Sequence, residues 1–144
     1  VMSRSAKHYE QVVEMVSLLA NAELVVDCDD MSVLMLGSDL VIGGGGVSLL
    51  ERMALGVPSI TVCLADNQVA NVRGSASMGG TLFAGVIGSL DGAKLASQVE
   101  RLMADDKGRQ MMSNKARLII DGDGAKRIAD RLISITNNNK SNGE

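Results

Sequence analysis

A chain of 144 residues with net charge −3, 46% hydrophobic and 22% charged residues has the make-up of one globular domain able to bury a core. Nothing points to a nucleic-acid partner, since no basic stripe interleaved with aromatics is present. No apolar run reaches the roughly 18 to 20 residues of a membrane span, and the N-terminus lacks the charged-then-apolar pattern of a signal peptide.

Val1-Met2 passes at once into the loop Ser3-Arg4-Ser5 and looks like the end of a strand, so the chain is expected to be part of a longer protein. Residues 7 to 20 place Tyr9, Val12, Val13, Val16, Leu19 and Ala20 on one helical face. The β-branched run Glu23 to Asp27 is expected to be a buried strand. Asp30 is expected to cap a short helix from Met31 to Gly37. Asp39 to Ile42 reads as the next strand, running into Gly43-Gly44-Gly45-Gly46 and a helix from about Val47 to Leu55. Gly56-Val57-Pro58 stops that helix, with Gly at the cap and Pro beyond it. Ser59 to Leu64 is a further strand, and Asp66 is expected to cap a helix through the seventies. Thr81 to Ala84 is a weaker strand. Asp91 is expected to cap a helix carrying Leu95, Val99 and Leu102, and Asp106 to start one carrying Met112, Ala116 and Ile119. After the turn Asp121 to Gly124, Ala125, Ile128, Ala129 and Leu132 are expected to face inward on a final helix. Residues 1–136 form the expected domain, and 137–144 a polar, disordered tail.

Short strands alternating with amphipathic helices predict an α/β, Rossmann-like parallel sheet with flanking helices. Such sheets bind ligands at the carboxyl ends of their strands. Three polar loops are expected on that rim: Ser3 to Ser5, Gly43 to Ser48, and Ala65 to Gln68.

The tetraglycine run between strand and helix is the sharpest local signal. It offers backbone amides at a helix N-terminus, which suits a phosphate, and glycine permits close approach and positive φ. Neither the P-loop nor the Gly-x-Gly-x-x-Gly fingerprint is completed. A tight strand-to-helix turn without a ligand is the alternative. Glu51 suits a ribose diol, or simply gives favourable charge near the helix start. Arg52 reads as a surface or packing residue pointing elsewhere. Asn67 and Gln68 suit a sugar hydroxyl or a phosphate oxygen. His8, the only histidine, reads as solvated and idle. Cys28 and Cys63 read as free thiols of a reducing cytoplasm. No metal cluster and no cofactor are expected; Asp27, Asp29 and Asp30 lack His or Cys companions.

Asp29 to Met35, Ser38 to Gly46, Glu51-Arg52, Leu55 to Ser59, Leu64 to Gln68 and Asp121 to Arg127 together resemble the UDP-sugar hydrolases of pseudaminic acid biosynthesis, the PseG family. More distantly the chain is similar to MurG and other C-terminal lobes of the glycosyltransferase-B fold. The resemblance implies a lobe that binds a UDP-sugar: Gly44, Gly45, Gly46 and Ser48 at the pyrophosphate, Glu51 at the ribose, Asp30 and Met31 beside the uracil, and Asn67 and Gln68 toward the sugar. In that family water attacks the anomeric carbon of a UDP-linked 2,4-diacetamido-2,4,6-trideoxy sugar. The family's catalytic histidine lies in an N-terminal lobe, and His8 does not match it. No catalytic residue is therefore assigned here, and an N-terminal lobe or a partner chain is expected to complete the site. The competing readings are a lobe or subunit of a UDP-sugar glycosyltransferase, since two-chain transferases of this fold exist, and an inactive remnant.

Overall fold

The computed structural model describes the backbone of residues 1–141 and the side chains of residues 1–135. The chain divides into two compact units, residues 1–34 and residues 35–144.

In the first unit, helix α1 spans Tyr9–Ser17, shorter than the periodicity predicts, and buries none of its residues. The strand expected at Glu23 to Asp27 is reduced to one parallel bridge between Met2 and Val26. Met2 donates to Val25 O (3.1 Å) and accepts from Asp27 N (3.1 Å). A strand is held by its neighbour's ladder, and alongside Val26 the chain turns into the Ser3 to Ser5 loop after Met2. Asp27 has a left-handed backbone, φ 49°. Its carboxylate accepts from Arg4 N at 3.0 Å, which fixes the turn. Asp30 does cap helix α2 (Met31–Leu36), accepting from Ser32 N at 3.0 Å and Val33 N at 3.3 Å.

The second unit holds a parallel three-stranded sheet in the order β1 (Val41–Gly44), β2 (Ser59–Cys63), β3 (Leu82–Val86). Each strand is followed by helix, as the alternation predicts: α3 (Val47–Leu55), α4 (Asp66–Ser77), then α5 (Gly92–Ala104), α6 (Asp106–Ile119) and α7 (Gly124–Ser141). Central β2 is buried along its whole length, so the alternating Ser59 and Thr61 face the interior and not solvent. Strand β1 runs two residues further than expected, so Gly43 and Gly44 pair with Thr61 and Val62 as strand residues.

The core joins Leu49 and Met53 of α3, Cys63 of β2, Val72 of α4 and Ala116 of α6. Helix α3 ends at Gly56 in the left-handed region, φ 69°. Arg117 of α6 donates through Nη2 to the Leu55 carbonyl at 3.0 Å, tying the end of α3 to α6. A Cβ on Gly56 would collide with that arginine, so both φ and space demand glycine there. Three buried hydroxyls join β2 to Thr81, the residue just before β3. Thr81 Oγ1 lies 2.8 Å from Thr61 Oγ1 and 3.0 Å from Ser59 Oγ, and donates to Ser59 O at 2.9 Å.

Helix α7 departs from expectation. Ala125, Ile128, Ala129 and Leu132 are exposed, Ile128 by 65% and Leu132 by 60%, where the spacing predicts an inward face. Apolar periodicity shows that a helix has a face to bury but not which surface receives it, and α7 packs broadly on no other element among the described residues. Of the expected polar tail, residues 137–141 fall on α7 and 142–144 lie outside the described residues.

Candidate functional site

The carboxyl ends of β1 and β2 feed the starts of α3 and α4, and these four ends meet around a cleft of about 250 Å3. Gly45, Gly46, Val47, Leu49 and Leu50 line one side, and Asn67, Gln68 and Asn71 the other. Two of the polar loops expected on one rim, Gly43 to Ser48 and Ala65 to Gln68, are therefore brought together. Gln68 is fixed there, because its Oε1 accepts from Leu64 N at 2.9 Å. Its amide nitrogen lies 3.6 Å from where a Cβ of Gly46 would stand.

The glycines are needed for space, not for unusual torsions. None of Gly43 to Gly46 has positive φ among the described backbone. A Cβ at Gly43 would lie 2.5 Å from Arg52 Nη1, one at Gly44 3.0 Å from Leu64 Cδ1, and one at Gly45 2.5 Å from Val72 Cγ2. Close packing thus explains three of the four, and the expected positive φ is corrected. Only Gly46 is free of a tight neighbour.

Helix α3 starts at Gly46 and α4 at Ala65, and neither start receives a side-chain cap. Asp66, expected to cap α4, is its first helical residue instead. The register is one residue earlier than the cap reading places it, and the carboxylate is left to interact with the helix dipole.

Beneath the glycine strand-end lies Arg52, only 1% exposed. It sits on the buried stripe Leu49, Arg52, Met53 of α3. Its Nη2 donates to Gly44 O (2.9 Å) and Thr61 Oγ1 (3.2 Å), and Nη1 to Ser48 Oγ (3.2 Å). Nε is buried without a hydrogen-bond partner. None of the ion pairs of the described side chains involves Arg52. Burial pushes its pKa down, partly opposed by the negative charge of Glu51. The sequence reading sends Arg52 away from the loop; the structure places it under the loop. Its i+3 spacing from Leu49 was the available signal, masked by the habit of charged residues to face water.

Of the other expected site residues, Ser48 is half-buried against Arg52 and Glu51 is exposed on α3, and neither of them lines the cleft, nor does Gly44. Asn67 and Gln68 do line it. Asn71, one helical turn beyond Asn67, joins them and was missed, although its i+4 spacing puts it on the same face. Asp30 and Met31 belong to the first unit, where Asp30 caps α2 and Met31 is its first residue. His8 is exposed, with Nδ1 3.1 Å from Gln11 Oε1. Both cysteines are free; Cys63 is buried, which pushes its thiol pKa up. No helix of the described residues is long and apolar enough to cross a membrane.

A parallel α/β unit with a glycine-lined cleft at the carboxyl end of its sheet fits the C-terminal lobe of the glycosyltransferase-B fold. The chain belongs to the glycosyltransferase family 28 C-terminal domain family, whose model matches residues 2–132. It is similar to the spore coat polysaccharide biosynthesis protein SpsG of Bacillus subtilis (strain 168), 27% identical over 128 residues. That match covers 89% of this chain and 38% of the relative. It is also similar to the UDP-N-acetylglucosamine--N-acetylmuramyl-(pentapeptide) pyrophosphoryl-undecaprenol N-acetylglucosamine transferase of Xanthomonas campestris pv. campestris (strain B100), 32% identical over 126 residues. Here 84% of this chain and 29% of the relative are covered. The chain thus spans about a third of the length of these curated relatives.

Proposed function

We propose that the larger unit binds the UDP part of a UDP-sugar donor for a glycosyltransferase-like enzyme, in the cytoplasm. The carrying observation is the cleft itself: two helices without side-chain caps open onto it, and a buried arginine, with no carboxylate partner among the described side chains, lies against Gly43 and Gly44 just before the cleft's Gly45. Unsatisfied amides, the positive ends of two helix dipoles and a desolvated cation all favour an anion of diphosphate size. In this reading Gly44 to Gly46 and Ser48 face the pyrophosphate, and Glu51 accepts from the ribose hydroxyls. Asn67, Gln68 and the newly found Asn71 face the sugar side. The roles of Asp30 and Met31 beside the base rest on the resemblance alone. The acceptor site and the reacting groups would come from an N-terminal lobe or a partner chain.

The hydrolase reading is kept for one feature, the Leu64-Ala65-Asp66-Asn67-Gln68 block that resembles the UDP-sugar hydrolases. Membership in a glycosyltransferase family, and a relative named as a transferase, favour transfer. Two measurements test the proposal. Melting the chain with UDP at 100 times its dissociation constant should add about 2.7 kcal/mol; no shift at millimolar UDP would favour the inactive remnant. Incubating the protein completed by its N-terminal lobe with UDP-sugar then separates transfer from hydrolysis. UDP release that depends on an acceptor supports transfer, and release by water alone supports the hydrolase.

A further inference from the structure

We propose that Arg52 is a positioning residue for the diphosphate, acting through Ser48 and the glycine backbone without touching the ligand. This rests on the reading of the cleft given above. A buried guanidinium is costly unless its charge is met, and here three neutral oxygens, and no carboxylate among the described residues, meet it. The residual positive charge sits against Ser48, in the first turn of α3, and against the Gly44 carbonyl two residues before the Gly46 cap.

Two consequences follow from hydrogen-bond direction. Nη1 donates to Ser48 Oγ, which must accept, so the single Ser48 proton is left to point elsewhere. A phosphate oxygen beside the start of α3 would receive it as a charge-assisted bond. Nη2 holds the Gly44 carbonyl inward, so the adjoining peptide turns its amide edge away from the arginine. The tight fit at Gly43 then has a purpose: a side chain there would displace the guanidinium from both contacts. Arg52 therefore sets the loop before any ligand arrives.

The test uses the 144-residue chain with inorganic pyrophosphate, UDP and uridine as probes, read by calorimetry. Arg52→Gln keeps hydrogen-bonding capacity but not charge, and Arg52→Lys keeps charge but not the fork. Pyrophosphate and UDP affinities should fall in the order wild type, Arg52→Lys, Arg52→Gln, with at least about tenfold lost in Arg52→Gln. Uridine binding should be the same in all three, which a merely structural role would not produce. Arg52→Gln within about twofold of wild type for both anions, or equal to Arg52→Lys, overturns the proposal. Should either variant fail to fold, nitrogen NMR of the wild type decides. Saturating pyrophosphate should move the Arg52 Nε resonance and leave that of Arg117 in place; an unmoved Arg52 signal overturns the assignment. Wild type that binds pyrophosphate but not UDP keeps the role of Arg52 and sinks the nucleotide reading. Wild type that binds UDP with Arg52→Gln unimpaired does the reverse, and binding of neither probe sinks both.

Discussion

Four helix starts of the second unit fall into two groups. Helices α5 and α6 are closed by carboxylates: Asp91 accepts from Ala93 N (2.9 Å) and Lys94 N (3.2 Å), and Asp105 from Gly108 N (2.8 Å). Helices α3 and α4 begin at Gly46 and Ala65, which have nothing to cap with. All four face the same energetic problem of unsatisfied first-turn amides. The C-terminal pair solves it internally and gains stability. The pair at the sheet's carboxyl edge leaves those amides without a side-chain partner, and these are the amides that the proposed function assigns to the diphosphate.

The contrast can be broken in several places. The largest effect expected is on binding: Glu51→Ala should weaken UDP by about 1.5 to 3 kcal/mol, the cost of losing bonds to a charged group. Unchanged affinity in calorimetry would remove Glu51 from the ribose. Gly45→Ala should destabilise the fold by about 1 to 3 kcal/mol, because the new methyl meets the stiff, buried Val72. A denaturant midpoint matching wild type would show that α4 yields more easily than its packing implies.

Asp91→Ala and Asp105→Ala should each lose about 0.5 to 2 kcal/mol of stability and leave UDP affinity alone. Asp66→Ala, at an uncapped start, should cost only about 0.3 to 1 kcal/mol through the helix dipole. Equal losses for Asp66 and Asp105 would mean that α4 is capped after all. The smallest effect concerns acid. In the first unit, the Ser32 hydroxyl and the amides of Val33 and Ser32 hold the Asp30 carboxyl below its ordinary 3.8. Its folded pKa is thus lower than its unfolded one. The stabilisation is fully present above the unfolded value and disappears as pH falls through the folded one. Carboxyl NMR should show Asp30 titrating below its ordinary 3.8, and the depression should shrink in Ser32→Ala, which removes the hydroxyl and keeps the two amides.

What could be read from the sequence was whatever is decided locally. The Gly56-Val57-Pro58 stop, the Asp30 and Asp91 caps and the strand–helix alternation each depend on a few neighbouring residues, and all are found. Glu23 to Asp27 failed because a strand depends on its neighbour, and only Met2 bridges to it. The inward face predicted for α7 failed for a similar reason: periodicity carries no record of the receiving surface. At the site, the meeting of Gly45 and Gly46 with Asn67 and Gln68 was foreseen from the rule for open sheets. The depth of Arg52 was not, because a charge on an amphipathic helix ordinarily belongs to water, and only the tertiary fold shows what oxygens await it.

The hydroxyls joining β2 to Thr81 carry one more implication. Thr81 spends its proton on the Ser59 carbonyl, so Thr61 and Ser59 must both donate to Thr81. Thr61, accepting a hydrogen bond from Arg52 Nη2 and donating its own to Thr81, is locked in one orientation. The cation is held by a relay of ordered dipoles that leaves its charge in place and has no acid form. A carboxylate counter-ion would neutralise in mild acid and leave the arginine stranded; this relay keeps the same polarity at every pH the fold survives.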